Sequence, residues 1–266
     1  MRTNKAYVHE IFSGIQGEGP LVGARQIFVR LCECNLACRF CDTPASRNRA
    51  ATCRVERTPG KRDFEEIRNP VDVPQVVEAV AKLNRFLHHS LSLTGGEPLM
   101  QADFLGEVLP FLRVRLPIYL ETNGTLPEAL ERIKDNIDII AMDLKLPSAT
   151  GDADHFSAHK EFLLIAAQRK KGRGEADAVF VKMVITADTS EEELVRAFSL
   201  VAEVDPNTEV ILQPVSEVIT PGDSASSSRP PRAPDPLQVL QWQQMGLKRL
   251  AYVRVIPQMH RLMGQL

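Results

Sequence analysis

Short apolar runs rich in β-branched residues alternate with segments of helical periodicity along most of the chain, and this alternation limits the fold more than any other feature. It is typical of βα units, in which parallel strands form one sheet and helices cover it. The strand-like segments are 26–31, 91–94, 118–122, 137–144, 179–185, 210–213 and 251–256, and helical patterns lie at 73–87, 104–112, 127–133, 160–168, 190–204 and 237–245. The sequence therefore predicts an α/β fold, a partial or complete (βα) barrel in a single domain over residues 1–266.

Residues that can carry chemistry follow several of these predicted strands. A group of cysteines follows the first strand, Gly95-Gly96 follows the second, Asn123-Gly124 follows the third, and Lys145 follows the fourth. In parallel βα barrels the loops after the strands meet at one rim, and active sites lie there. The sequence therefore predicts an active site at the C-terminal ends of the parallel strands.

Two segments interrupt the alternation. Residues 44–70 are polar, with arginines and lysines among prolines and acidic residues, and we expect a surface insertion. Residues 216–236 hold five prolines and five serines, a composition typical of a flexible loop or linker.

Charge and hydropathy exclude several classes of protein. The formal net charge of −2 gives no electrostatic footprint of a nucleic-acid-binding protein. The longest apolar stretches are far shorter than the ~18 residues that a bilayer-spanning helix needs. The N-terminal residues show no apolar segment followed by a cleavage site, as a secretory signal would. We therefore expect a cytoplasmic protein that binds neither nucleic acid nor a membrane.

The five cysteines form the most specific pattern in the sequence. Cys34, Cys38 and Cys41 have the spacing Cys-x3-Cys-x2-Cys, and three thiolates so close together can hold one soft metal centre. Structural zinc usually takes two pairs of ligands, and no second pair follows here, so a non-enzymatic zinc or nucleic-acid-binding protein would need another ligand. Cys32 is expected to be a buried small hydrophobe, and Cys53 a free thiol.

Four segments together resemble a known family. The cysteine spacing is the signature of the radical S-adenosylmethionine (SAM) superfamily. It is accompanied by Ile15-Gln-Gly-Glu-Gly19, by Cys41-Asp42-Thr43 and by Thr94-Gly-Gly-Glu-Pro98. The set resembles the 7-carboxy-7-deazaguanine synthases, densely over residues 9–46 and 91–98. The resemblance implies a partial or modified TIM-like (βα) barrel of the radical SAM type.

The resemblance also implies a reaction and its cofactors. A four-iron, four-sulfur (4Fe-4S) cluster with one open iron would bind SAM and cleave it to a 5′-deoxyadenosyl radical. That radical would take a hydrogen from C6 of 6-carboxy-5,6,7,8-tetrahydropterin. Ring contraction with loss of ammonia would then give 7-carboxy-7-deazaguanine, a step of queuosine and 7-deazapurine biosynthesis. SAM would be regenerated, Mg²⁺ would help to steer the rearrangement, a flavodoxin or ferredoxin would donate the electron, and relatives of this kind are homodimers.

Site residues can be assigned on the same resemblance. The cluster would be held by Cys34, Cys38 and Cys41, and Mg²⁺ by the hydroxyl of Thr43. Around SAM the resemblance implies Phe40, Asp42, Gly96, Asp143, Lys145 and Gln213. Around the substrate it implies Ile15, Gln16, Gly17, Glu18, Arg30, Thr94 and His260, with Arg30 as a clamp for the substrate carboxylate.

Two positions depart from the family pattern. Glu33 stands where relatives often carry glycine, and Asp143-Leu-Lys145 stands where many have Ser-Pro-Lys. Asp-Leu-Lys also occurs in glycyl-radical activases, so an activase is the alternative enzymatic function. The Gln-Gly-Glu-Gly segment and Arg30 favour a small-molecule substrate instead. His155 and His159 could bind zinc on one helix face, yet no third ligand follows at a usual interval, and ordinary loop polarity is the expectation.

Overall fold

The computed structural model describes residues 4–169, 178–216 and 231–264. Its strands are β1 (Val8–Ile15), β2 (Arg25–Leu31), β3 (Thr52–Glu56), β4 (Phe64–Arg68), β5 (Ser90–Gly95), β6 (Ile118–Thr122), β7 (Ile139–Asp143), β8 (Ala178–Ile185), β9 (Glu209–Pro214) and β10 (Val253–Val255). Its α-helices are α1 (Val73–Lys82), α2 (Ala102–Arg113), α3 (Pro127–Ile133), α4 (Pro147–Thr150), α5 (Phe156–Ala167), α6 (Glu191–Val204), α7 (Pro236–Leu247) and α8 (Met259–Leu262). None of the helices in these ranges is long and apolar enough to cross a bilayer.

All ten strands belong to one sheet, in the order β10-β9-β8-β7-β6-β5-β2-β1-β3-β4. Strand β2 and strands β5 to β10 are parallel neighbours, as the alternation of strands and helices predicts. The two ends of this order, β10 and β4, do not pair with each other within the described ranges. The α/β prediction is therefore confirmed, and the barrel is a partial one.

Most of the predicted elements are present, with boundaries shifted by a few residues. Asp72 and Gln75 form a capping box before α1, and the Ser190 hydroxyl accepts from the backbone N–H of Glu193 at the start of α6. The helix predicted from residue 160 begins earlier, at Phe156. These elements follow local sequence signals, which explains why they could be predicted.

Three strands are absent from the sequence prediction. Strand β1 runs antiparallel to β2, and the polar residues His9, Glu10 and Ser13 interrupt its apolar pattern. Residues 44–70, expected as a surface insertion, contain the antiparallel pair β3 and β4, and β3 pairs with β1 at the end of the sheet. Of the loop predicted at 216–236, residues 217–230 lie outside the described residues, and Pro236 already belongs to α7.

The sheet separates two apolar regions. The larger one packs between the outer face of the sheet and the helices. A smaller cluster lies on the inner face and consists of Tyr119, Ile139, Ala141, Phe180 and Ile211. Tyr119, Ala141 and Phe180 also line the cavity at the C-terminal ends of the strands, so this inner cluster forms the apolar floor of the site.

Candidate active site

A cavity of about 540 Å³ opens at the C-terminal ends of the parallel strands. Every residue that the sequence analysis assigned to the site lines it: Ile15, Gln16, Gly17, Glu18, Arg30, Cys34, Cys38, Phe40, Cys41, Asp42, Thr43, Thr94, Gly96, Asp143, Lys145, Gln213 and His260. These residues span most of the chain, so the fold brings together what the sequence leaves far apart.

The cysteine loop follows β2 and is anchored at several points. The guanidinium of Arg47 donates to the carbonyl of Cys38 at 2.5 Å, and that of Arg39 donates to the carbonyl of Ser148 at 2.6 Å. Cys34, Cys38 and Cys41 are all free thiols. Burial raises the pKa of the Cys34 and Cys38 thiols, although the ammonium of Lys145 acts in the opposite direction.

The Gly95-Gly96 turn lets this loop lie directly on the end of β5. The backbone N–H of Gly96 donates to Leu31 at 3.0 Å, and that of Glu97 donates to Glu33 at 2.7 Å. A Cβ at Gly95 would overlap the carbonyl oxygen of Leu31, and a Cβ at Gly96 would overlap that of Glu33. Both glycines are therefore required by backbone packing, whatever the ligand.

The three thiols are not gathered around a single point. Sulfurs bound to a single zinc ion lie at most about 4.6 Å apart, twice the Zn–S bond length. Among the described residues, three His, Cys, Asp or Glu ligand atoms lie within 4.8 Å of one another only in Glu18, Asp42 and His260. The three cysteine sulfurs therefore do not all lie within 4.8 Å of one another in this arrangement.

Glu18 is the centre of a partly buried ionic network at the rim. It accepts hydrogen bonds from the ammonium of Lys182 and, at 2.9 Å each, from the side-chain amides of Gln213 and Gln258. Burial alone would raise the pKa of Glu18, but the Lys182 ammonium and these donors lower it to about 2. Lys182 also lies 3.1 Å from the Asp143 carboxylate. Glu18 is therefore ionised, with both oxygens already engaged.

Glu121 is a second, partly buried carboxylate in the cavity, and the sequence analysis did not assign it to the site. It accepts from the Thr94 hydroxyl at 2.6 Å and from the Gln16 amide at 2.8 Å. Burial and the nearby Glu18 charge raise its pKa. Its position at the end of a predicted strand, one residue before Thr122, was the available signal.

Two acceptor atoms of the cavity lack hydrogen-bond partners in the described part of the chain. The Lys145 ammonium lies 2.8 Å from one oxygen of Asp143 and 5.2 Å from the centre of the Phe40 ring. The other oxygen of Asp143 and the side-chain oxygen of Gln213 are buried without a hydrogen-bond donor among the described residues. A ligand carrying hydroxyl or ammonium groups would satisfy both.

The remaining predicted residues border the opening of the cavity. A Cβ at Gly17 would overlap the imidazole of His260, whose Nε2 lies 3.9 Å from Asp42. The Thr43 hydroxyl makes only a long contact of 3.5 Å to the carbonyl of Gly95. Its oxygen is therefore free to take a stronger partner.

Cys32, Cys53 and His159, which the sequence analysis also considered, do not line the cavity. Cys32 and Cys53 are both buried, and burial raises the pKa of Cys53 to about 12. His159 is fully buried on α5, so the expectation of ordinary loop polarity is wrong for it. Its Nε2 bonds the carbonyl of Asn123 at 3.1 Å, and burial lowers its pKa to about 4. His159 thus supports the backbone behind the cavity.

Comparisons with a family model, with curated proteins and with solved structures agree on one family. The family described as the radical SAM superfamily matches residues 30–200. The 7-carboxy-7-deazaguanine synthase of Geobacter sulfurreducens is 42% identical over 98% of each chain. That of Thermococcus kodakarensis is 34% identical, over 77% of this chain and 82% of the other. The crystal structure of QueE from Escherichia coli has the same fold, with a TM-score of 0.53 over 96% of this chain and 95% of that one, at 16% identity.

Proposed function

This chain belongs to the radical SAM superfamily and, within it, to the 7-carboxy-7-deazaguanine synthases, and we propose that the rim cavity is its active site. The enzyme is a lyase that converts 6-carboxy-5,6,7,8-tetrahydropterin to 7-carboxy-7-deazaguanine with loss of ammonia, in queuosine biosynthesis. The observation that carries the site proposal is the convergence of the three cysteines, two unpaired acceptors and Arg30 on one cavity.

Cys34, Cys38 and Cys41 would hold the 4Fe-4S cluster. Their Cys-x3-Cys-x2-Cys spacing and their position in one cavity support this assignment. Thiolates are the cluster ligands, and Lys145 opposes the burial that raises the pKa of the Cys34 and Cys38 thiols. When bound, the cluster and SAM supply the one-electron chemistry that starts the reaction at C6 of the substrate.

SAM would lie along the wall formed by Phe40, Asp42, Gly96, Asp143, Lys145 and Gln213. Its ribose hydroxyls and ammonium group are hydrogen-bond donors, and the unpaired oxygens of Asp143 and Gln213 are the acceptors left open there. A buried acceptor without a partner costs about 1–3 kcal/mol, so filling these two would favour binding.

The substrate would bind next to SAM in the same cavity. The guanidinium of Arg30 would take its carboxylate, because two N–H groups can bind two carboxylate oxygens at once. Ile15, Gln16, Gly17, Glu18, Thr94 and His260 would contact the pterin ring. These contacts fix the ring while the inner apolar cluster keeps water away from the reacting carbon.

Mg²⁺ would bind at Thr43. Magnesium prefers oxygen ligands and usually takes few from the protein, so one hydroxyl together with substrate oxygens suits it. The group of Glu18, Asp42 and His260 is a poorer choice, since both oxygens of Glu18 already accept hydrogen bonds.

The test is an anaerobic assay of the reconstituted enzyme with dithionite, SAM, Mg²⁺ and 6-carboxytetrahydropterin. Mass spectrometry should find 7-carboxy-7-deazaguanine with the wild type and none with Cys38→Ala. Cys53→Ala is the matched control, because it removes another buried thiol that lies away from the cavity. Formation of 5′-deoxyadenosine without the deazaguanine would reject this substrate and favour an activase instead.

For the physiological context we propose a cytoplasmic homodimer reduced by a flavodoxin or ferredoxin. Asn35, Ala37 and Arg39 on the cysteine loop are exposed, which leaves a face for a donor protein to approach. Size-exclusion chromatography with light scattering tests the dimer. Replacing dithionite by each reduced protein tests the donor.

A further inference from the structure

We infer that Glu10 is a positioning residue that holds Arg30 ready for the substrate carboxylate, and that Arg54 of strand β3 completes this assembly. The inference rests on the proposed role of Arg30. It gives strands β1 and β3, both absent from the sequence prediction, a part in substrate binding.

The register of the sheet places these three side chains in one row. Glu10 on β1 lies opposite Arg30 on β2 and opposite Arg54 on β3. One carboxylate oxygen of Glu10 lies 2.9 Å from Nε of Arg30, and the other lies 3.6 Å from Nη1 of Arg54. Glu10 is almost fully buried and lines the cavity together with Arg30.

The contact through Nε determines which edge of Arg30 remains available. Neither Nη atom of Arg30 makes a hydrogen bond to any described residue, and neither is buried. The guanidinium also lies 5.7 Å from the centre of the Phe12 ring, which is stacked on Phe28. Glu10 and Phe12 thus fix the group from behind and beside it, and the two Nη atoms are left for a bidentate carboxylate.

The charge of the row explains why Arg54 is needed. Glu10 and Arg30 alone would sum to zero, and a neutral pair attracts an anionic substrate weakly. Arg54 restores a net positive charge while its own guanidinium lies over Phe64 at 4.2 Å. Because Arg54 is partly exposed, its contribution is expected to be smaller than that of Arg30.

The experiment compares two ligands on the reconstituted holoenzyme with SAM: 6-carboxypterin, and pterin without the carboxylate. Binding is followed by ligand fluorescence. Arg30→Gln should abolish the preference for 6-carboxypterin. Glu10→Ala should raise the Kd of 6-carboxypterin about tenfold and that of pterin less than about twofold, since a hydrogen bond to a charged group is lost. Glu10→Gln keeps an acceptor for Nε and should stay within about threefold of the wild type.

Further variants separate the alternatives. Arg54→Gln should raise the Kd of 6-carboxypterin about threefold, as expected for a partly exposed charge. Glu10→Ala added to Arg30→Gln should cause no further loss if the two residues act as one unit. Glu56→Gln is the matched control: this buried carboxylate of β3 bonds the backbone of Ser13 and Arg62, does not line the cavity, and should leave both ligands unaffected.

The outcomes distinguish this inference from the proposed function. If Glu10→Ala weakens the binding of both ligands equally, the role of Glu10 is purely structural and the inference is overturned. Tighter binding of 6-carboxypterin in both Glu10 variants would mean that Glu10 is only a counter-charge, and would also overturn it. An unchanged preference in Arg30→Gln would instead reject the proposed role of Arg30. If Glu10→Ala does not fold, tighter binding of 6-carboxypterin by Glu10→Gln overturns the inference, whereas near-wild-type binding by Glu10→Gln together with weaker binding by Arg54→Gln supports it.

Discussion

Replacement of Gly96 by alanine should prevent the cysteine loop from seating on the sheet. The new Cβ would overlap the carbonyl oxygen of Glu33, and Glu33 precedes the first cluster cysteine. Gly96 is not in the left-handed region of backbone space, so the effect would come from this contact and not from backbone strain.

The magnitude follows from the bonds that the loop must give up. Moving Glu33 away breaks the hydrogen bond from the Glu97 N–H, 2.7 Å long, and stretches that from Gly96 to Leu31, 3.0 Å long. At about 0.5–1.5 kcal/mol each, the two bonds predict a loss of about 1–3 kcal/mol in the free energy of unfolding. Displacement of Cys34 by even a fraction of an ångström should also reduce cluster incorporation.

The assay measures iron and sulfide per chain after anaerobic reconstitution, the cluster absorbance, and the thermal midpoint. Gly106→Ala is the matched control. A Cβ there has only one neighbour, Ile133 at 3.7 Å, and Gly106 lies within α2, so alanine should stabilise the protein by up to about 1 kcal/mol. If Gly96→Ala loads the cluster fully and keeps the wild-type midpoint, the packing argument is refuted.

Three further predictions concern the pKa of His159, the ion pairs of Lys182 and the hydroxyl of Thr43. The pKa of His159 falls from 6.5 to about 4 on folding, so its neutral form stabilises the fold above pH 6.5. The free energy of unfolding should therefore fall by about 3 kcal/mol as the pH falls from 6.5 to 4. Urea denaturation of His159→Gln should lack that part of the pH dependence. Lys182→Met leaves the partly buried Glu18 carboxylate without a cation, while Asp143 keeps Lys145, and should lower the free energy of unfolding by about 3 kcal/mol. Lys160→Met removes only an exposed pair with Glu203 and should change it by less than about 1 kcal/mol. Thr43→Val should raise the Mg²⁺ concentration for half-maximal activity at least about tenfold without changing iron content; an unchanged Mg²⁺ dependence would reject Thr43 as a ligand.

Much of the site was accessible to sequence reasoning because its residues follow strands. Cys34, Gly96, Asn123 and Lys145 each come after a segment with a clear strand pattern. In a parallel sheet the ends of such strands share one edge, so order along the chain already indicates proximity in space. The cavity lined by all the assigned residues bears out that argument.

The parts that sequence reasoning missed depend on pairing across the sheet. Strand β1 has polar residues at Glu10 and Ser13, and their side chains are buried against partners from the neighbouring strand β2, Arg30 for Glu10 and Arg25 for Ser13. Lys182 is a single charge within an apolar strand, and nothing nearby in the sequence indicates that it meets Glu18. Glu121 is likewise explained only by Gln16 and Thr94.

The sequence by itself determined the features that rest on local chemistry: the cysteine spacing, the helix caps at Asp72 and Ser190, and the alternation of strands and helices. Tertiary structure alone decided that residues 44–70 contribute strands to the sheet, and which charges face each other in the cavity. The physical reason is the distance along the chain over which each kind of interaction acts. Capping and periodicity act within a few residues, whereas an ion pair such as that of Glu18 with Lys182 depends on strand order and register, which no local pattern records.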